Sequence, residues 1–95
     1  MNRENAEKLS ILMMQLNAKM DDTVYFVKEN DEKGLFENYH RIAGKIMASF
    51  YLDVQKKLWE EYPDLVTTHM GGEYQVEPEL FEPRFYETKE DEKTI

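Results

Sequence analysis

Proline is absent from the first 62 residues of this chain, and across them apolar side chains recur at spacings of three and four. That pattern marks amphipathic helices, and without proline only polar turns can interrupt them. From about residue 3 to residue 29, Leu9, Leu12, Leu16, Met20, Thr23 and Val27 share one helical face, with Met13 and Val24 beside it. Ile11, Met14, Ala18 and Tyr25 fall on a neighbouring face, so this helix is apolar over more than one seam.

The polar cluster from Glu29 to Gly34 reads as the tip of a helical hairpin, with Asn30 or Asp31 as N-cap of the next helix. That second helix is expected over about 32–61, with Gly34 weakening its first turn by up to about 1 kcal/mol relative to Ala. Leu35, Tyr39, Ile42, Ile46 and Ser49 form one row, and Phe36, Ala43, Met47, Phe50, Val54 and Leu58 the next. Gly44, with Ala43 and Ala48, leaves a low spot for close helix packing. Pro63 ends the helix, because the residue before a proline is pushed out of the α region.

The expected fold is therefore all-α, a long antiparallel hairpin (3–29 and 32–61) forming a unit over residues 1–62. Its two helices have more apolar surface than one mutual contact hides. Pairing of two hairpins into a homodimeric four-helix bundle would bury the surplus. The competing solution is that the C-terminal part folds back over it.

Residues 63–87 read as an extended segment. Two β-favouring runs, Leu65 to Met70 and Glu73 to Val76, flank Gly71-Gly72, which is a signal for a short β-hairpin with His69 opposite Tyr74 and Thr67 opposite Val76; an irregular loop packed on the helices is the other reading, since a lone two-stranded hairpin is marginal in water. Pro78 and Pro83 exclude a long helix or central strand beyond it. Leu80, Phe81, Phe85 and Tyr86 are costly to leave in water, at roughly 1.5–3 kcal/mol for each large apolar group. They are expected to dock on the hairpin or its dimer mate, or else to be offered to a partner. Residues 88–95 read as a charged, disordered tail.

Charge and composition narrow the function. The net charge is −8, and no basic face exists to neutralise phosphates, so direct binding to nucleic acid is not expected. A basic protein partner suits the acidity. There is no cysteine, which removes disulfides and thiol chemistry. No apolar run suggests a signal peptide or a membrane span, and a cytoplasmic setting is expected.

Catalytic motifs are missing: no strained turn presents Ser10 or Ser49, and Gly71-Gly72 lacks the lysine and helix of a phosphate loop. No cofactor is implied. The sharpest metal alternative is Glu37-x-x-His40, whose spacing resembles half of a ferritin-like di-metal carboxylate site, with Asp22 or Asp21 supplying the carboxylate from the first helix. Tyr51 and Trp59 lie partly off the main stripes and are candidates, with Leu80, Phe81, Phe85 and Tyr86, for partner or dimer contact. The reading is a small acidic, non-enzymatic interaction or regulatory module. A di-metal bundle and a structural subunit of an assembly are the alternatives.

Overall fold

The computed structural model describes residues 1–88, and it is mostly helical. The tail expected over 88–95 lies, from residue 89 onward, outside the described residues; Thr88 itself is buried. Helix α1 runs over Arg3–Asn30. It starts where the Asn2 side chain accepts a 2.8 Å hydrogen bond from the Asn5 amide, satisfying one of the donors a helix start leaves open. Its length, about 42 Å at 1.5 Å per residue, nearly equals the 46 Å long axis of the molecule.

Asp31 builds the connection to the second helix. Its carboxylate accepts from the amides of Lys33 at 2.9 Å and Phe36 at 2.6 Å, and these bonds, offset in part by burial, hold its pKa below the ordinary value. Gly34 sits in this loop at φ +77°, a left-handed conformation that favours glycine. The second helix therefore begins later than its sequence suggests, as α2 over Phe36–Ser49, because five residues are used for the turn.

The helix expected to continue to residue 61 changes pitch on the way. Phe50–Gln55 form a π-helical segment, and α3 follows over Lys56–Glu61. A π turn takes up an extra residue, so the face toward α1 moves on by one position. Gln55 and Trp59 are buried where the α-helical rows point to Val54 and Leu58. Trp59, 7% exposed, donates Nε1–H to Ser10 Oγ on α1 at 3.0 Å and meets Tyr51 edge-on.

α1 and the second helical arm form the hairpin, with the Tyr39 hydroxyl 2.6 Å from Thr23 Oγ1 near the tip. The core lies at the other end, where Ala6, Trp59 and Leu65 are buried together under Tyr51, Leu58, Tyr62, Val66 and Tyr74. A core this short is what a chain of this size can build alone.

No strand forms among the described residues, so the β-hairpin reading is corrected and the segment is an irregular loop. One bridge joins Thr67 and Tyr74 in parallel sense, carried by Thr68 N to Tyr74 O at 3.1 Å and Tyr74 N to Val66 O at 3.0 Å. The register with His69 opposite Tyr74 and Thr67 opposite Val76 is not formed. The cause is local: Thr68–Met70 make a 3₁₀ turn closed by Gly71 at φ +88°, and Gly72 donates to Thr67 O at 2.8 Å. The chain thus loops back on itself instead of reversing between strands. A Cβ on Gly72 would fall 2.0 Å from Val66 O, so this close approach requires glycine.

From residue 62 on, the chain runs alongside α1 in the same direction. Tyr62 Oη donates to the Met1 carbonyl, Arg3 pairs with Asp64 at 2.6 Å, and Tyr74 Oη donates to Glu7 at 2.6 Å. Further up, Gln15 Nε2 donates to Leu80 O at 2.7 Å and Lys19 Nζ to Pro83 O at 2.8 Å. α1 is therefore a spine, flanked by α2 antiparallel to it and by this strap parallel to it.

Candidate functional site

Two surfaces along α1 stand out, one apolar and one built around a buried charge. The first is a groove between α1 and the second helical arm. Leu16, Met20 and Thr23 from α1, Phe50 from the π segment and Phe85 from the strap line a cleft of about 240 Å³, with Lys19 at its rim. Leu12 stands one turn before Leu16, and Ile46 and Ile42 continue the row that ends at Phe50. Leu12, Leu16, Ile42 and Ile46 are 36–45% exposed. The cleft is smaller than a drug-sized ligand site and suits single apolar side chains. Thus the row Leu35, Tyr39, Ile42, Ile46 is an edge of the hairpin, not its centre.

The second surface is the row Asp22, Phe26, Glu29, which holds the strap. Asp22 is 2% exposed in the middle of a helix, a position where an unpaired carboxylate is strongly disfavoured. Arg84 meets it with Nη2 at 2.6 Å and with Nε at 3.0 and 3.1 Å from its two oxygens, and the Phe85 amide adds a bond at 3.1 Å. Burial acts to raise the Asp22 pKa, but the bonds and charge of Arg84, with the Tyr86 and Phe85 amides, outweigh it and leave the pKa lowered. Phe26 meets the rings of Phe85 and Tyr86 edge-on, each at 5.3 Å. Glu29 accepts from Tyr86 Oη at 3.0 Å and from Thr88 Oγ1 at 2.6 Å.

A third polar contact closes the core end. Glu7 accepts from Tyr74 Oη, which with the help of Arg3 lowers its pKa against the effect of burial. Burial, and then Glu7, push the Tyr74 phenol up to about 12. This bond ties the loop that carries Tyr74 to the first turns of α1.

The residues singled out in the sequence fall in different places. Phe85 and Tyr86 meet on Phe26, and Phe85 remains 53% exposed where it borders the groove. Leu80 and Phe81 are half-buried along α1, Phe81 beside Ala18, Asp21, Asp22 and Arg84. Tyr51 and Trp59 pack into the chain's own core, so Trp59 has almost no surface left for a partner.

The di-metal alternative is not assembled. Glu37 and His40 are exposed, His40 lies against the Phe36 ring, and Asp22 is committed to Arg84. Among the described residues no group of three His, Asp or Glu side chains is placed to hold a metal ion. Among the same residues, no helix is long and apolar enough to cross a membrane. Sequence reasoning missed Arg84 and Glu29 as site residues. A hint existed for the first: Arg84 is the single base between residues 70 and 88, set directly before two aromatics.

No protein-family model matches the chain, and no curated protein or solved structure does either.

Proposed function

We propose that this protein is a non-enzymatic interaction module whose working surface is the apolar groove along α1 and α2, and that a second copy of the chain is its partner in a four-helix bundle. The observation that carries the reading is the unburied row of Leu12, Leu16, Ile42 and Ile46, continued by Phe50 and Phe85. With the exposed part of Phe26 and Leu35, these residues present on the order of 600 Å² of apolar surface, the upper end of what a monomer's largest patch shows and close to the roughly 800 Å² per partner of a standard interface.

Charge opposes a like copy less on this side than on the strap side. Residues 36–57 carry four bases, Arg41, Lys45, Lys56 and Lys57, against two acids, Glu37 and Asp53, in a chain that is otherwise strongly acidic. Two such arms approach with little of the repulsion that the strap sides would suffer. Sedimentation equilibrium between about 5 and 200 μM tests the proposal, with a dimer expected at the upper end. Leu16→Glu combined with Ile46→Glu, on exposed positions, is expected to give a monomer with unchanged helical circular dichroism. A wild-type protein that stays monomeric throughout would remove the reading.

A further inference from the structure

The row Asp22, Phe26, Glu29 does more than hold a loose end. We propose that it is a recognition site for an extended basic segment bearing Arg followed by two aromatic residues, and that the chain's own strap is its resident, displaceable occupant. This surface meets the groove at Phe85, and Phe26 borders both, but Asp22 and Glu29 lie outside the groove's lining and their contacts form within one chain.

Three side chains at i, i+4 and i+7 lie in line on one helix and read successive residues of an extended chain. Asp22 takes the guanidinium through both Nε and Nη2. A lysine cannot reproduce this, because it is a point charge without the planar fork. Phe26 takes the edges of two consecutive aromatic rings, and Glu29 takes the hydroxyls beyond them. Gln15 and Lys19 grip backbone carbonyls of the strap, a hold that is indifferent to sequence. All five residues stand on α1, so the site is set by a rigid helix and loses little order when its occupant changes.

The resident is poorly matched in charge. Around Arg84 the strap carries Glu77, Glu79, Glu82 and Glu87, and it lies on a chain of net charge −8, beside Asp21 and Glu29. Its advantage is its tether, which gives an effective concentration in the millimolar range. A segment that keeps Arg-aromatic-aromatic without the flanking acids relieves the repulsion and binds the same row more tightly.

The probe is a fluorescein-labelled peptide with the sequence of residues 78–88, in its native form and with Glu79→Gln, Glu82→Gln and Glu87→Gln, which leaves Arg84 as its one charged side chain. It is titrated into the whole chain carrying Arg84→Ala, Phe85→Ala, Tyr86→Ala and Thr88→Ala, which removes every side chain that the strap places on Asp22, Phe26 and Glu29. Anisotropy is expected to show saturable binding, about five-fold tighter for the peptide lacking the three acids. Binding is expected to be lost when Asp22→Asn is added, and to be weaker by at least about ten-fold on the unaltered chain, where the strap competes.

Absence of saturable binding to the emptied, still helical chain overturns the proposal, as does equal binding by the Asp22→Asn version. Equal affinity for the two peptides overturns the preference for a basic segment. If the emptied chain loses its helical signal, the unaltered protein decides. Excess peptide must then speed amide hydrogen exchange at residues 84–88, and unchanged protection there refutes the site.

Discussion

Replacing Arg84 by alanine removes the cation from a carboxylate that has almost no contact with water. Breaking a fully buried ion pair from one side costs about 3–5 kcal/mol, because the remaining charge is stranded. Two features lower that figure here. The Arg84 side chain is 33% exposed, so part of its charge is already screened, and the strap can lift to let water reach Asp22. The loss is then bounded by the docking of residues 84–88, and we expect about 2 kcal/mol at pH 7, close to one charged hydrogen-bonded contact. For a chain of this size that lowers Tm by roughly 8–16 °C.

The pH dependence gives a sharper check. The folded pKa of Asp22 lies below its ordinary value, so its contribution is fully present above the unfolded carboxylate pKa of about 3.9 and is lost as pH falls through the folded value. Urea unfolding followed by Trp59 fluorescence should therefore show a constant gap between wild type and Arg84→Ala from pH 7 to pH 5. The gap should close toward pH 2. A variant within about 0.5 kcal/mol of wild type at pH 7, or a gap that survives unchanged at pH 2, refutes the reasoning.

Other positions yield equally direct outcomes. Gly72→Ala forces a Cβ into the Val66 carbonyl and should cost about 2–4 kcal/mol, whereas Gly71→Ala meets open space and should cost only the roughly 1–2 kcal/mol of a left-handed backbone; urea midpoints rank the two. Deleting the exposed Leu52 shortens the π segment by one residue and allows α-helical bonding while Trp59 still faces α1. Stability within about 1 kcal/mol of wild type and an unshifted Trp59 emission are expected, and a red shift would show that the extra residue is needed.

The hairpin was legible because α1 obeys one period from Leu9 to Val27 and because the cluster at Asn30 and Asp31 has a single local solution, a cap and a turn. Where one extra residue enters, the same logic fails. The apolar rows of residues 50–58 assume 3.6 residues per turn, so they point Val54 and Leu58 inward and leave Trp59 aside, whereas the π segment turns Trp59 onto Ser10. In the sequence Gly71-Gly72 reads as the centre of a two-residue turn. Glycine is indeed required there, but for a left-handed cap at 71 and for the approach to Val66 at 72, which only the folded loop reveals. The Asp22–Arg84 pair lies 62 positions apart, and no local pattern marks an acid on a helix as buried. The pairing is set by the strap's course in step with α1, not by any neighbouring residue.

That parallel course has a mechanical consequence. A pull on the chain beyond Thr88, directed away from the hairpin tip, loads the strap's contacts in series. The bonds of Thr88 and Tyr86 to Glu29 take the force first, then the Arg84 clamp on Asp22, then the grips of Lys19 and Gln15. Contacts that fail one after another yield at lower force than contacts sheared together. The core of Ala6, Trp59 and Leu65, at the far end of the spine, bears no load until the strap has come away. Under tension the protein would lengthen in small steps from its tip while its helices stay folded, with Thr88, Tyr86 and Arg84 leaving α1 first.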